Sequence, residues 1–227
     1  MSEMSRFMID KDCIFAESFG DRQSLINKHG SGVIQGKPTV KNSPFGKVQR
    51  LDGANDFLSI PDADISQPTT KLTVICRVKI LTLAVDDAFM AKWTYQTQAS
   101  WAISTETTGS DEIRVHIADS LNDAGSNYAV STGAGLTADG WRDVGFVYDG
   151  ALAAADRVTI FVNGSAITTT ATGTLPATLI DSTAPTNIGQ FGGSLDRKMN
   201  ADFACAWMYK RVLSDTEILN LATGKAF

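Results

Sequence analysis

Short segments in which apolar and polar side chains alternate recur along almost the whole chain, and this alternation constrains the fold more than any other feature. In the clearest segment, residues 72–80, every second side chain is apolar. Successive side chains of a β-strand point to opposite faces of a sheet, so a period of two predicts a strand with one buried face. The recurrence of such segments predicts an all-β protein with about a dozen strands.

The predicted strands are spread over the chain with short turns between them. They cover residues 15–19, 48–51, 57–60, 72–80, 89–95, 101–105, 112–118, 128–131, 141–148, 157–162, 166–170, 187–191 and 202–210. Residues 20–46 are rich in Gly, Ser, Asn, Lys and Pro, which predicts a long surface loop with at most short strands. Asn163 and Gly164 predict a hairpin with a type I′ turn, because both residues tolerate positive φ.

A helix is predicted only at the C-terminus. Ser214 and Glu217 have the spacing of a capping box, and apolar residues follow from Ile218 onward. A dozen short strands with one terminal helix indicate an antiparallel β-sandwich. A sandwich of about 200–250 residues is commonly one domain, so we predict an N-terminal arm over residues 1–12 and a single domain over residues 13–227.

Several motifs, in their order and spacing, resemble the laminin-G-like, concanavalin A-like lectin/glucanase superfamily. The matching residues are Gly53, Asp56, Phe57, Ile60, Pro61, Lys92, Trp93, Trp101, Gly140, Trp141, Val144, Phe146, Tyr148, Asp149, Gly150, Val158, Ile160, Val162, Asn163, Gly164, Ile188, Gly189, Tyr209, Arg211, Leu213 and Ser214. The resemblance covers nearly the whole chain and implies a jelly-roll β-sandwich. These residues are turn glycines, core aromatics and a helix cap, so the resemblance implies a fold and transfers no activity.

Aromatic side chains around the loop at residues 94–100 suggest a site for sugars, whose faces stack on exposed rings. Trp93, Tyr95 and Trp101 flank this loop. Tyr95 stands nearest the turn and is the strongest candidate for an exposed ring. The alternative for all three is a packed hydrophobic layer.

Acidic residues crowd two predicted turns. Asp52 and Asp56 stand in one turn, and Asp86 and Asp87 stand in another. Calcium takes several oxygen ligands, often from loop carboxylates and carbonyls, so both turns are weak candidates for a calcium site. The alternative is that they are ordinary turn residues. We predict that no cofactor is required, with calcium as the one candidate.

A basic segment interrupts a chain whose formal net charge is −5. Residues 22–50 contain six Lys or Arg side chains and no Asp or Glu. Such a segment predicts docking on an acidic protein surface, with Lys37, Lys41 and Lys47 as contacts, and the alternative is a solvated loop. No aromatic residues are interleaved with these charges, so nucleic acid is not a predicted partner.

The residues of common hydrolases are missing. A glycosidase needs two carboxylates across the scissile bond, and the resemblance implies a Glu-x-Asp-x-x-Glu strand that this chain lacks. The nearest cluster, Glu106, Asp111 and Glu112, is predicted to lie at a hairpin turn. His29 and His116, the only histidines, are predicted to be solvated or locally hydrogen-bonded. We therefore predict that the chain is not an enzyme.

These observations lead to two main hypotheses about function. The first is a noncatalytic surface or attachment module, most specifically a virion (phage capsid) decoration protein that contacts capsid proteins, with oligomers as an option. The second is a soluble, lectin-like module that binds glycans, with calcium as an optional cofactor; a glycoside hydrolase ranks below both. Residues 1–13 lack the apolar centre of a secretory signal, and no stretch reaches the roughly 20 apolar residues of a membrane span. The predicted location is the virion surface, or the cytoplasm before assembly.

Overall fold

Sixteen strands and one α-helix make up the regular structure in the computed structural model, which describes residues 11–18, 23–27, 32–62, 70–106, 111–192 and 197–224. The strands are β1 (Cys13–Ser18), β2 (Gln23–Asn27), β3 (Val33–Gln35), β4 (Thr39–Ser43), β5 (Gly46–Asp52), β6 (Phe57–Ile60), β7 (Lys71–Ile80), β8 (Ala88–Thr94), β9 (Gln98–Thr105), β10 (Ile113–Ile117), β11 (Tyr128–Thr132), β12 (Trp141–Asp149), β13 (Val158–Val162), β14 (Ser165–Thr172), β15 (Thr186–Ile188) and β16 (Asn200–Tyr209). The helix α1 spans Asp215–Thr223. Residues 1–10 of the predicted arm lie outside the described residues.

The strands form two antiparallel sheets. The first has the order β2-β1-β16-β7-β12-β13-β14, and the hairpin β4-β5 joins it through the start of β16. The second has the order β14-β11-β10-β9-β8-β15-β6-β3. Strand β14 belongs to both sheets, because Ser165–Ile167 pair with β13 and Thr168–Thr172 pair with β11. This arrangement confirms the predicted antiparallel β-sandwich.

The main hydrophobic core lies between the two sheets. The alternating positions of β7, including Leu72, Val74 and Val78, are fully buried there. From the second sheet Trp101 packs toward Phe146 of the first, with ring centroids 6.0 Å apart and neither side chain exposed. Removing such large apolar surfaces from water is the dominant stabilising contribution to a fold of this kind.

The C-terminal helix covers the outer face of the first sheet. Its capping box is present as predicted: Ser214 Oγ accepts from Glu217 N at 3.3 Å, and Ser214 N donates to Glu217 Oε2 at 2.7 Å. Ile218 and Leu221 are buried against the sheet. The apolar side of the helix therefore covers a second, smaller hydrophobic core on this outer face.

The hairpin predicted at Asn163 and Gly164 is also present. These residues have φ of 52° and 82°, and Val162 pairs with Ser165 directly across the turn. A Cβ at Gly164 would lie 2.9 Å from the Cα of Leu219. The turn therefore needs glycine both for its backbone conformation and for its close approach to the helix.

The segment predicted as a long loop, residues 20–46, contributes three short strands, β2, β3 and β4. They lack clear apolar alternation because they lie at sheet edges, where pairing with one neighbour holds them. All three cysteines are buried as thiols. Among the described residues, no helix has the length and apolar character to cross a membrane.

Candidate functional site

The candidate site lies on the outer face of the second sheet. In β10 the side chains of Ile113, Val115 and Ile117 face the main core, whereas Arg114 and His116 face outward, as the alternation predicts. This outer face carries its own apolar cluster, which includes Trp93 of β8 and Phe191. A polar residue on this face is therefore not automatically exposed to water.

His116 lies beneath three aromatic rings. Its ring centroid is 5.7 Å from that of Trp93, 5.9 Å from that of Tyr128 and 6.0 Å from that of Phe191. Burial, together with the nearby charge of Arg114, lowers the pKa of His116 to about 3, so the imidazole is neutral at physiological pH. The prediction of a solvated His116 was wrong, because loops from distant parts of the chain cover the sheet. His29 lies outside the described residues.

The loop that carries Phe191 is attached to the end of β8 by backbone hydrogen bonds. Gly192 N donates to the Trp93 carbonyl at 2.9 Å, and Tyr95 N donates to the Gly192 carbonyl at 3.4 Å. A Cβ at position 192 would lie 2.4 Å from the Trp93 carbonyl oxygen, so only glycine permits this approach. These bonds place Phe191, Trp93 and Tyr95 around one depression.

A second loop forms the opposite wall. The Asp123 carboxylate accepts from Gly125 N at 2.6 Å and from Ser126 N at 3.1 Å, which stabilises a tight turn. Gly125 has φ of +90°, and a Cβ there would lie 3.1 Å from His116 Nδ1. Glycine at this position therefore leaves the nitrogen edge of the imidazole uncovered by a side chain.

Between these walls is a cavity of about 170 Å³. Tyr95, Trp93, Phe191, His116 and Arg114 are among the residues that line it. Pockets for drug-sized ligands measure about 300–1,000 Å³, so this cavity suits a single small group such as one sugar unit.

Two ion pairs supply the charge of the cavity. Arg197 donates to Asp86 Oδ2, and Arg114 makes a two-pronged contact with Glu106 that includes Nε to Oε2 at 2.6 Å. The guanidinium carbon of Arg114 also lies 4.2 Å from the ring centroid of Tyr128. Each guanidinium is thus held by a carboxylate, and the Arg114 side chain is held by a ring as well.

Two polar atoms of buried residues in the cavity lining lack a hydrogen-bond partner in the described part of the chain. They are Asp86 Oδ1 and His116 Nδ1, and the two residues are only 4% and 7% exposed. An unsatisfied buried polar group costs roughly 1–3 kcal/mol, and more when it is charged. Both atoms are themselves covered from solvent, so neither is a contact for a ligand in the cavity as the structure stands.

The three aromatic residues predicted to bind sugar have different positions. Tyr95 is half-buried and lines the cavity, and Trp93 lines it although only 2% of the residue is exposed. Trp101 is completely buried in the main core and offers no ring face to a ligand. Trp101 therefore lies in a packed hydrophobic layer, which was the alternative to sugar binding, because its position in the strand directs the side chain to the inner face of the sheet.

The turn with Asp52 and Asp56 uses carboxylate oxygens for its own backbone. Asp52 Oδ1 accepts from three backbone N–H groups, those of Ala54, Asn55 and Asp56, and this lowers the pKa of Asp52. Asp56 Oδ1 accepts from Lys37 N at 2.6 Å. These contacts are those of ordinary turn residues, and they leave few oxygens for a cation.

The turn with Asp86 and Asp87 also suits calcium poorly. The Arg197 guanidinium contacts Asp86, and a positive group there would repel a divalent cation. The described residues contain no group of three or more His, Cys, Asp or Glu side chains that could hold a metal ion. These residues therefore do not fit a calcium ion, and calcium dependence stays a prediction for experiment.

The environment of Asp87 predicts an effect of pH on stability. Burial and the neighbouring Asp86 carboxylate raise the pKa of Asp87 to about 6 from an ordinary value of 3.8. The folded state therefore binds a proton that the unfolded state has already released, so the contribution of Asp87 to stability falls as the pH rises across this interval. Asp87→Asn is expected to increase the free energy of unfolding at pH 7 by about 1–3 kcal/mol. Denaturant titrations from pH 4 to 7 would measure the free energy of unfolding of both proteins. If the variant lost stability with rising pH as steeply as the wild type, the result would contradict this role of Asp87.

The three lysines predicted to dock a partner are all exposed. The register of the β4-β5 hairpin pairs Lys41 with Val48 and Asn42 with Lys47. Because paired residues share a face and neighbours alternate, Lys41 and Lys47 point to opposite faces of the hairpin. The structure therefore does not gather the lysines into one patch.

The carboxylates nearest to a glycosidase pattern have structural contacts. Glu106 is bound to Arg114, and Glu112 accepts from Gly133 N at 2.6 Å and from Ala134 N at 3.0 Å. These hydrogen bonds, together with that from Ser131, lower the pKa of Glu112 against the effect of its burial. A general acid needs a raised pKa, so Glu112 has the opposite property.

A second crevice, of about 340 Å³, lies on the outer face of the first sheet. Phe45 and Trp141 line it with an edge-to-face contact, and Arg77 and Asp143 form an ion pair there. These two charged groups contact each other, which favours a structural role for the pair. The smaller cavity is the better candidate because three aromatic residues, Trp93, Tyr95 and Phe191, line it.

Two sheets packed face to face, with a lined cavity on one outer face, define a lectin-like β-sandwich. A comparison with family profiles matches residues 52–219 to the laminin G family of the concanavalin A-like lectin/glucanases superfamily. The chain belongs to this superfamily. Comparison with curated protein sequences finds no match.

Several solved structures share this fold at low sequence identity. The binding domain of Paraclostridial Mosquitocidal Protein 1 is 12% identical, with a TM-score of 0.70 over 93% of this chain and 52% of that one. Domain 4 of AbnA, a GH43 extracellular arabinanase from Geobacillus stearothermophilus, in complex with arabinotriose, is 15% identical, with a TM-score of 0.65 over 93% and 98% of the two chains. The binding domain of botulinum neurotoxin DC in complex with rat synaptotagmin II is 12% identical, with a TM-score of 0.63 over 95% and 52%.

These similarities concern the fold. The chain spans about half the length of the toxin binding domains and nearly all of the arabinanase domain. The fold is therefore that of carbohydrate- and receptor-binding domains.

Sequence reasoning missed most of the cavity. Arg114, Phe191 and Arg197 were not singled out, and His116 was predicted to be solvated or locally hydrogen-bonded. The one available signal was alternation in β10, which places Arg114 and His116 on the same face. The loop with Phe191 lies about 75 residues further along the chain than His116, and no local pattern connects the two.

Proposed function

We propose that this chain is a noncatalytic module that binds glycans in the cavity on the outer face of the second sheet. The observation that carries the proposal is a cavity lined by three aromatic residues, Trp93, Tyr95 and Phe191, together with the charged side chains of Arg114 and Arg197. Sugars combine hydroxyl groups with apolar ring faces. A lining that combines polar atoms with the ring of Tyr95 matches both properties.

The comparisons support a binding function for a domain of this fold, and they do not identify the ligand of this chain. The arabinanase domain is in complex with arabinotriose, and one toxin binding domain is in complex with rat synaptotagmin II. Binding without catalysis agrees with the structural contacts of Glu106 and Glu112, since neither carboxylate is available as a pair across a substrate.

A glycan array with the purified chain tests the proposal. Binding is expected both with calcium and with a chelator, because the Arg197 guanidinium contacts Asp86, the acidic residue in the described lining of the cavity. Binding lost in the chelator would show a calcium requirement. Absence of binding in both conditions would contradict glycan recognition.

Tyr95→Ala is expected to weaken glycan binding about 30-fold, which corresponds to roughly 2 kcal/mol for a buried aromatic contact. Tyr95→Phe is expected to retain most of the affinity, because stacking needs the ring and not the hydroxyl. Trp141→Ala is the matched control, since Trp141 is a half-buried ring on the opposite sheet. Calorimetric titration would measure affinities, with circular dichroism to verify folding. Equal loss in the Tyr95 and Trp141 variants would contradict the location of the site.

A second candidate function is docking on a virion as a decoration protein. The observation that favours it is strand β4, an edge strand that is almost entirely exposed and carries Val40 and Lys41. An exposed edge offers unpaired backbone groups to a strand of another protein, and the exposed side chain of Lys41 suits an acidic capsid surface. The count of this chain on purified particles tests this function, and particles without it would contradict the proposal.

A further inference from the structure

Separate segments of the chain meet at the crevice on the outer face of the first sheet. They are the tip of the β4-β5 hairpin with Phe45, the start of β12 with Trp141 and Arg142, the β13-β14 turn with Asn163, and the end of helix α1 with Thr223. Each of these residues is half-buried or exposed, so a molecule in the crevice can reach it. The volume of about 340 Å³ lies near the lower limit of ligand pockets.

Internal hydrogen bonds hold the walls of this crevice in place. At the hairpin tip, Ser43 Oγ accepts from Phe45 N at 3.0 Å and donates to the Gly46 carbonyl at 2.9 Å. At the β13-β14 turn, Asn163 Oδ1 accepts from Asp143 N at 3.1 Å. The fold itself therefore builds the crevice, and no ligand is needed to form it.

The acceptor groups of the crevice already have donors. Both carboxylate oxygens of Asp143 accept from Arg77, at 2.8 and 3.0 Å. The carbonyls of Leu221 and Ala222 at the helix end also accept from Arg77. A cationic ligand would have to compete with the buried Arg77 for these oxygens, which disfavours its binding.

Arg142 is a cation of the crevice without a carboxylate beside it. Its guanidinium donates to the Trp141 carbonyl at 3.0 Å and to Thr137 Oγ1 at 3.4 Å, and it forms no ion pair within the described ranges. A guanidinium has further N–H donors, which are left for a ligand. The amide of Asn163 also keeps its N–H donors, because its oxygen accepts from Asp143. These groups suit a ligand with acceptors and negative charge, that is, a carboxylate.

The surrounding charges favour an acidic molecule as well. The other charged side chains on the strands of the crevice and the hairpin form ion pairs, which are Arg77–Asp143, Lys79–Asp139 and Arg50–Asp202. The hairpin and its approach add the exposed Lys37, Lys41 and Lys47, and residues 32–51 contain no Asp or Glu. On a chain with a formal net charge of −5, this surface is locally basic.

The arrangement of the rings favours a side chain over a sugar. The rings of Phe45 and Trp141 meet edge to face, with centroids 5.2 Å apart and planes at 79°. The Arg77 guanidinium covers one face of Phe45, with its carbon 4.6 Å from the ring centroid. The rings therefore form no flat platform on which a sugar could stack, whereas an apolar side chain can pack against them.

We propose that this crevice anchors an acidic polypeptide segment, in which a carboxylate pairs with Arg142 and a neighbouring apolar side chain packs against Phe45 and Trp141. The basic hairpin attracts the rest of the segment. This partner site lies on the opposite sheet from the glycan cavity and does not depend on glycan binding. It gives an anchor point to the docking on an acidic protein that the basic segment of the sequence predicts.

A titration followed by nuclear magnetic resonance tests the site. The probes are synthetic peptides with a Glu-X-Glu centre in Gly-Ser flanks, where X is Leu, Ile or Phe, and the same peptides with Gln in place of Glu. The acidic peptides are expected to shift the indole N–H signal of Trp141, which Trp141→Phe assigns. The Gln peptides are expected to bind about tenfold more weakly or less, because they lack the charge-assisted contact.

Arg142→Gln is the decisive variant. Its wild-type contacts are partly exposed, so the fold is expected to survive, as circular dichroism would verify. Affinity for the acidic peptides is expected to fall about tenfold or more. Lys79→Gln is the matched control, because it removes the same charge from the adjacent strand and does not line the crevice. Its affinity is expected to change by less than about threefold.

The outcomes separate this site from the glycan cavity. Arg142→Gln is expected to leave glycan affinity unchanged, and Tyr95→Ala is expected to leave peptide affinity unchanged. Equal losses in Arg142→Gln and Lys79→Gln, or no shift of the Trp141 signal with any acidic peptide, would overturn this inference and leave the glycan function standing. A shift caused by glucuronic acid and by none of the peptides would overturn the choice of a polypeptide partner.

Discussion

Replacing Arg77 with alanine is expected to lower the free energy of unfolding by about 3–5 kcal/mol. The Arg77 side chain is only 8% exposed and makes a two-pronged contact with Asp143, with distances of 2.8 and 3.0 Å. One of its nitrogens also donates to the carbonyls of Leu221 and Ala222, at 3.1 and 2.8 Å. The variant would therefore lose an ion pair and the contact that ties the end of the helix to the sheet.

Most of this cost comes from the partner that remains. Burial raises the pKa of Asp143 even with Arg77 beside it, which shows that its surroundings penalise a charged carboxylate. Without Arg77, the carboxylate must take up a proton or remain as an unpaired buried charge, and either event disfavours the folded state. The double variant Arg77→Met with Asp143→Asn is accordingly expected to be more stable than Arg77→Met alone.

Lys79→Ala provides the matched control on the same strand. Lys79 Nζ lies 3.3 Å from Asp139, but these side chains are 27% and 74% exposed. Such exposed ion pairs contribute roughly 0–1 kcal/mol because water and salt screen them. Denaturant unfolding of both variants measures the difference, and similar costs at Arg77 and Lys79 would contradict the importance of burial.

Trp101→Ala is expected to destabilise the fold by about 3–5 kcal/mol, the usual cost of truncating a buried aromatic side chain. The side chain has no exposed surface and packs against Phe146 from the facing sheet. Truncation removes this apolar contact and leaves a cavity in the middle of the sandwich. Thermal or denaturant unfolding measures the loss.

The same variant separates a core position from a ligand-binding one. Under conditions where Trp101→Ala is still folded, its glycan affinity is expected to match that of the wild type, whereas Tyr95→Ala is expected to lose affinity and keep its stability. A Trp101 variant of normal stability with impaired glycan binding would contradict the position of this ring in the core.

Several elements of this protein follow directly from local patterns in the sequence. The alternation in residues 72–80 matches strand β7, and the capping box of Ser214 and Glu217 begins helix α1 where predicted. The Asn163-Gly164 turn joins β13 and β14. These features depend on neighbouring residues, because side-chain alternation, helix caps and tight turns are set by backbone geometry over a few positions.

The edge strands were harder to predict for a physical reason. Strands β2, β3 and β4 lie at sheet edges and lack a clear apolar alternation, so no periodic signal distinguishes them from a loop. Their backbone hydrogen bonds to neighbouring strands hold them in place. Pairing of this kind depends on the whole sheet and leaves little trace in the local sequence.

By itself, the sequence determined the strands, their inward and outward faces, the tight turns and the class of fold. Only the tertiary structure decided which outward faces meet water. Alternation placed Arg114 and His116 on one side of β10, but their burial depends on Phe191 and Gly125, which approach from separate loops. Such contacts join residues that are far apart in the chain, and their free energy depends on the packing of all the elements together.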